Sequence, residues 1–448
     1  MSKNVQFNVK PGGTLKGRIR VPGDKSVSHR SIMLGSIAEG TTHVTGFLEG
    51  DDSLATLQAF KDMGVQIEGP NEGKVTIHGV GLRGLKKPLN PLDMGNSGTA
   101  MRLMAGILAG QNFECTLIGD ASLSKRPMKR VTDPLRQMGA DIYTADGGMP
   151  PLNIKPTVSG LKSIDYTLPM ASAQVKSCVL LAGLYADGET KVVEPAPTRD
   201  HTERMLQGFG YQVESTKLDG MQTQVTLVGG GSLKAMDIDV PSDISSAAFF
   251  MVAASIAPEA DLVIEHVGIN PTRTGVIDIL KLMGADITLE NESIVGGEPV
   301  ADIHVKSSKL KGVKIPENLV PLAIDEFPVL FVAASAAEGK TVLTGAEELR
   351  VKESDRIQVM ADALKAVGVD AQPTPDGMII NGGVQKPQST VIESHHDHRI
   401  SMAMTIAGLN AVDDVLIDDC ANVNTSFPTF VDLVNQIGMT VSVIKENG

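Results

Sequence analysis

Six stretches of the chain are apolar on almost every helical face: residues 32–38, 100–109, 179–184, 247–256, 329–337 and 400–409. A helix that is hydrophobic all round has no side to give to water and is predicted to be buried. Each stretch follows a short polar junction and leads, through a strand-like run, into a second segment with apolar positions at helical spacing, such as 52–63, 131–138, 200–209 and 278–283. These second helices are predicted to lie outside. They stop at Gly64, Gly139, Gly210, Gly284, Gly368 and Gly438, the residue that most easily adopts a left-handed helix end. Strand, helix, strand, helix, strand thus recurs six times at roughly 70 to 85 residues, which marks a repeat architecture rather than one dinucleotide-binding domain with an appendage. If equivalent buried helices pack side by side in parallel, their N-termini converge on one face, and that face collects charge.

A chain of 448 residues is long for one core, and two domains of about 200 residues, three copies each, are expected. The division falls near Asp239-Val240-Pro241, and the strand before Val21 could pair with either half. Charge narrows the partners. With 40 Lys+Arg against 53 Asp+Glu the net charge is -13, which disfavours nucleic acid and acidic membrane surfaces. With no Trp and 3% aromatics, base-stacking platforms are not expected either. Cys115, Cys178 and Cys420 sit in apolar runs without CxxC spacing, as suits a reducing compartment. Met1-Ser2-Lys3-Asn4 does not begin a signal peptide, and the apolar run 245–257 is too short to span a bilayer. A soluble, cytoplasmic protein is expected.

The first junction, Gly23-Asp24-Lys25-Ser26-Val27-Ser28-His29-Arg30, crowds cations into a helix start, where unpaired N–H groups and the dipole favour an anion. Arg102, Lys125, Arg126, Lys176, Arg199, Arg273, Lys352, Arg356 and Arg399 stand at or beside the other junctions. Any one could be a solvated surface charge, but together, in an acidic protein, they predict a site for a small substrate with several anionic groups. Two motifs are discounted. Gly-Asp-Lys-Ser lacks the first glycine of a P-loop, and the GxGxxG string at 79–84 lies between strands and opens no helix. Asp325 reads equally as a helix cap or a catalytic base, and Glu353 as a helix-dipole acid paired with Arg356 or a catalytic acid. His395-His396-Asp397-His398 has no second ligand cluster and Arg399 beside it, so no metal is expected.

Taken together, GDKSxSHR at 23–30, GNSGTAxR at 95–102, KRPM at 125–128, LPMASAQVKS at 168–177, TRDHT at 198–202, KESDR at 352–356 and DHR at 397–399 strongly resemble the 3-phosphoshikimate 1-carboxyvinyltransferase (EPSP synthase) family, in its second, bacterial class. The resemblance runs in order through the whole chain. It implies an α/β (α+β) fold of two domains, each of three βαβαββ repeats with buried parallel helices, the active site in the interdomain cleft. The domains would be residues 22–240 and residues 1–21 plus 241–448.

The resemblance also implies transfer of the enolpyruvyl group of phosphoenolpyruvate to the 5-hydroxyl of shikimate 3-phosphate, through a tetrahedral intermediate, by a monomer with no cofactor. Lys25, Asp325 and Glu353 would be catalytic. Lys25, Ser26, Arg30, Ser172, Ala173, Gln174, Arg199, Asp325 and Lys352 would hold shikimate 3-phosphate; Lys25, Gly98, Arg126, Gln174, Arg356 and Arg399 would hold phosphoenolpyruvate, and Asn96 belongs to the same substrate-binding set. Thr425 replaces a lysine and Glu348 an asparagine of many relatives, while Gly98 in place of alanine implies easier inhibition by glyphosate than in tolerant members. The rival enolpyruvyl transferase acting on UDP-N-acetylglucosamine usually carries a cysteine where 119–127 has none. A non-catalytic anion-binding protein on the same repeats would not be expected to keep Lys25, Asp325 and Glu353.

Overall fold

The computed structural model describes residues 5–383 and 390–445. The start of the sixth copy, placed at Ser389, and the N-terminal Met1–Asn4 lie outside the described residues. Two compact units emerge. The first comprises Gly23–Pro241 with Ile294–Glu298, and the second comprises Ser242–Ser293 with the described residues up to Pro22 and from Pro299 onward.

In the first unit the buried helices are α1 (Lys25–Ile37), α3 (Gly98–Ala109) and α5 (Ala173–Gly183), each followed by a second helix, α2 (Asp51–Asp62), α4 (Lys129–Gln137) and α6 (His201–Gly208). In the second unit the same alternation gives buried α7 (Ile244–Ile256), α9 (Phe327–Ala336) and α11 (His398–Ala407), with α8 (Gly275–Leu282), α10 (Arg356–Ala366) and α12 (Phe430–Gln436). The six all-apolar stretches are therefore the six buried helices. In α7 every residue from Ile244 to Ser255 is buried. Each unit has one continuous apolar core, and burial of that area supplies the main stabilising free energy.

The repeats close on small sheets with a common plan. A first strand pairs in parallel with the strand after the buried helix, and a hairpin then adds antiparallel, as in Leu92–Asp93, Cys115–Ile118, Met149–Lys155 and Asp141–Ala145. In the fifth repeat the first strand is reduced to isolated parallel bridges, Lys311 to Glu338 and Lys314 to Val342, beside a three-stranded sheet. Two repeats exchange their first strands. Lys16–Ile19 pairs in parallel with Asp261–Gly268 of the fourth repeat, whereas Ile238–Asp239 pairs in parallel with Glu39–Thr45 of the first. Among the described residues the sixth repeat has no last strand of its own, and Val5–Lys10 takes that place, antiparallel to both Val415–Asp418 and Thr440–Lys445.

The starts of the six buried helices follow one rule with one exception. Asp24, Ser97, Ser172, Asp243 and Asp397 each accept a backbone N–H at the first turn of α1, α3, α5, α7 and α11, the favoured capping chemistry. The first helix consequently begins at Lys25, three residues before the apolar pattern at Ser28 suggests. The exception is α9, which has proline in its first turn and no side-chain cap. Asp325 does not cap it: Asp325 lies in the preceding 3-10 turn, Ile324–Glu326, so the capping explanation for this residue fails.

Candidate functional site

In the first unit, side-chain bonds tie the three buried helix starts together. Arg30 of α1 donates to Ser177 of α5 (3.0 Å) and Thr202 of α6 (2.7 Å); Arg102 of α3 donates to Gln174 of α5 (2.7 Å); and Gln174 donates to Thr99 of α3 (2.9 Å). The N-termini of α1, α3 and α5 thus share one face, and their dipoles make it electropositive. Lys25 pairs with Asp52, and the Ser26 carbonyl accepts from Arg30 (3.1 Å). Arg126 donates to the Asn96 side chain (2.8 Å) and to Ser122 (3.2 Å), while Asn96 is itself held by Asp120 (2.7 Å). Gly98 opens α3. A Cβ there would lie 2.8 Å from Arg102 Nη1, so a side chain at 98 would displace that guanidinium. Ser172 caps α5, Ala173 is its first residue, and Arg199 is half-buried two residues ahead of α6.

Three guanidiniums here, Arg30, Arg102 and Arg126, are fixed entirely by neutral oxygens, with no carboxylate at ion-pair distance among the described residues. Burial pulls Arg30 and Arg102 down to about 10, and in each a neighbouring arginine adds to it, yet both stay charged at neutral pH. Positive charge held by neutral partners is available to a ligand. Lys176, predicted as one of the substrate-facing cations, is different. It is 1% exposed and pairs with Glu194 (3.0 Å) and Glu203 (2.7 Å), so its charge is spent inside the protein.

The second unit collects the remaining predicted residues in the opposite electrostatic state. Asp325 lies 3.4 Å from Lys352 Nζ and 3.5 Å from Arg356 Nη1. Lys352 also contacts Glu348 at 2.5 Å, and although burial disfavours its charge, Asp325 first and Glu348 after it hold the ammonium more firmly protonated than usual. Arg356 pairs with Asp397 (2.8 Å) and Glu353 (2.6 Å). Although burial disfavours charge on Glu353, the Arg356 guanidinium outweighs it and draws the carboxyl down to about 2. Glu353 is therefore a carboxylate in this arrangement, able to accept a proton rather than to deliver one. Arg399 donates to the Asp325 carbonyl (3.0 Å) and lies 3.8 Å from Glu326. Sequence reasoning passed over Glu326 as a neighbour of Asp325, yet it is 2% exposed and accepts from Ser245, which in turn accepts from Arg273 (2.7 Å). Its only signal was an acid at a buried helix start without a capping role.

The discounted motifs have structural explanations. Gly79 of the GxGxxG string packs its backbone against the Gly35 and Ala38 carbonyls at the end of α1, where no side chain fits. His396 pairs with Asp419 (2.7 Å), burial lowers His398 to about 4, and among the described residues no cluster of three His, Cys, Asp or Glu is placed to hold a metal. The three thiols are buried, which pushes each up to about 12. Thr425 donates to the Asn422 carbonyl (2.7 Å) inside its own turn. No described helix is long and apolar enough to cross a membrane.

Six βαβαββ repeats and helix starts lined with substrate-sized cation sets define an enzyme class that handles small, multiply anionic molecules. The backbone alone is similar to that of an enolpyruvyl transferase, NikO from Streptomyces tendae, with a TM-score of 0.77 over 99% of this chain and 100% of that one; at 15% identity the likeness is one of fold. The family model for EPSP synthase (3-phosphoshikimate 1-carboxyvinyltransferase) matches residues 9–434, and the chain belongs to that family. It is 81% identical over 445 residues to a 3-phosphoshikimate 1-carboxyvinyltransferase of Hydrogenovibrio crunogenus, covering 99% of this chain and 100% of the relative. It is 62% identical to the EPSP synthase of Acinetobacter baumannii, whose 2.37 Å structure superposes with a TM-score of 0.90 over 98% of this chain and 100% of that one. The reaction is transfer of the carboxyvinyl group of phosphoenolpyruvate to shikimate 3-phosphate, a step of the shikimate pathway.

Proposed function

We propose that the two residue sets divide the labour of this reaction. The single observation that carries the reading is the contrast in charge: Arg30, Arg102 and Arg126 of the first unit are held by neutral oxygens, while in the second unit carboxylates are interleaved with cations. The first set, Lys25, Ser26, Arg30, Asn96, Gly98, Arg126, Ser172, Ala173, Gln174 and Arg199, receives the phosphates and carboxylates of shikimate 3-phosphate and phosphoenolpyruvate, with Lys25 leaving Asp52 to touch both. Lys352, Arg356 and Arg399 complete anion binding, and Asp325 takes the proton of the attacking 5-hydroxyl. Attack at the enol carbon with protonation of the methylene gives a tetrahedral intermediate, which loses phosphate and a proton. Lys25 and Glu353 serve the methylene and phosphate protons. Glu353 becomes a proton carrier only when substrate anions draw Arg356 from it, since it is a firm carboxylate while that pair persists. No cofactor enters this scheme, and a cytoplasmic monomer accords with it.

Phosphate release from phosphoenolpyruvate tests the proposal. It is expected only when shikimate 3-phosphate is present, with UDP-N-acetylglucosamine unable to substitute. Lys25→Met and Asp325→Ala are each expected to lower kcat at least about 100-fold, the scale of a lost acid, base or charge contact. Turnover near wild type in either variant would remove that residue from the mechanism.

A further inference from the structure

Arg30 is 4% exposed, and burying a guanidinium without a counter-ion is costly unless its N–H groups are bonded. Three neutral oxygens do this. Nε donates to Thr202 Oγ1 at 2.7 Å, Nη1 to the Ser26 carbonyl at 3.1 Å, and Nη2 to Ser177 Oγ at 3.0 Å. Because a guanidinium only donates, both hydroxyls must turn lone pairs toward it. The two hydroxyls also bond each other, Thr202 Oγ1 donating to Ser177 Oγ at 2.7 Å. Of the five N–H groups of Arg30, two, one on each terminal nitrogen, have no acceptor among the described residues.

The spacing of the two hydroxyls is set one residue away on each helix. Lys176, next to Ser177 on α5, bonds Glu203, next to Thr202 on α6, at 2.7 Å, and Glu194 at 3.0 Å. This buried pair pins α5 to α6 and also engages Glu203, the carboxylate that acts most strongly on the Arg30 charge. A carboxylate in place of Thr202 would hold the guanidinium as firmly but cancel its charge. Hydroxyls orient it and leave the charge intact.

We infer that Thr202 and Ser177 are positioning residues that aim the two open N–H groups of Arg30 at an anionic oxygen of shikimate 3-phosphate. The inference rests on the proposed reading of Arg30 as a ligand of that substrate. The test compares Arg30→Ala, Thr202→Val, Thr202→Ser and Ser177→Ala by calorimetric titration with shikimate 3-phosphate and by steady-state kinetics. Thr202→Val is expected to weaken shikimate 3-phosphate binding about tenfold, the scale of one hydrogen bond to a charged group. It should raise KM for that substrate with KM for phosphoenolpyruvate and kcat within about twofold. Ser177→Ala should follow it in the same direction, and Thr202→Ser should bind within about threefold of wild type. If Arg30→Ala loses affinity while Thr202→Val keeps it, the positioning role is overturned and the reading of Arg30 stands. If Arg30→Ala binds as wild type does, that reading falls and the inference with it. A Thr202→Val defect that Thr202→Ser does not restore, or that raises both KM values alike, would mark a merely structural role and overturn it too.

Discussion

At the scale of single residues, what distinguishes the site is which acceptors hold its cations. Lys176 lies in the first turn of buried α5 and Arg126 in the turn ahead of α4, yet one is sealed by two glutamates and the other is braced by Asn96 and Ser122. Lys352 is intermediate, held between Asp325 and Glu348. Glu348 is 60% exposed, so its hold on Lys352 is screened and worth only a fraction of a kcal/mol to about 1 kcal/mol. Glu348→Gln should therefore free Lys352 and lower KM for shikimate 3-phosphate, by about two- to fivefold. Steady-state titration of that substrate checks it, and an increase in KM would show that Glu348 contributes to binding instead of competing with it.

At the scale of elements, the repeats share a device that the sequence disguised as a nucleotide motif. Gly79, Gly229 and Gly382 occupy equivalent places in the last strands of the first, third and fifth repeats. A Cβ on any of them would be driven into carbonyl oxygens at the end of the buried helix: Gly35 and Ala38, Gly183 and Ala186, or Ala334 and Ala337. Backbone atoms cannot yield as a flexible side chain can. Gly79→Ala is therefore expected to destabilise the protein by about 1–3 kcal/mol through overpacking, read as a lower urea midpoint. The GxGxxG string at 79–84 is thus a packing glycine followed by a turn.

At the scale of the whole molecule, each unit contains a histidine near a helix start whose surroundings oppose its protonation. His29 bonds Thr56 (2.8 Å) and is lowered to about 3 by burial, with Lys25 adding to it; His398 is lowered to about 4 by burial, with Arg399 adding to it. In the unfolded chain each titrates near 6.5, so below that pH the unfolded state binds more protons than the folded one. Stability is then lost as pH falls from about 6.5 toward about 4, at roughly 1.4 kcal/mol per pH unit for each histidine, while above about 6.5 neither contributes. The carboxylates held low by Arg356, Glu353 and Asp397, act in the same direction in a lower window, as pH falls below their ordinary range. Urea unfolding at several pH values between 7.5 and 4.5 checks this. A flat profile from 6.5 to 5 would mean that neither histidine is kept neutral by the fold.

The six buried helices, their amphipathic companions and the glycine stops were legible in the sequence because side-chain burial follows local periodicity. The family was legible as well, because its motifs are contiguous strings at the helix starts. What periodicity could not carry was which strand completes which sheet. Lys16–Ile19, Ile238–Asp239 and Val5–Lys10 find their partners more than 190 residues away, and a short strand has no local preference among sheets of similar apolar edges. Nor could it tell a substrate cation from an internal one, since Lys176 and Arg30 look alike until Glu203 and Thr202 are brought beside them. Local sequence chose the elements and the residue types. Tertiary packing chose the counter-ions, and with them which positive charges remain for the substrate.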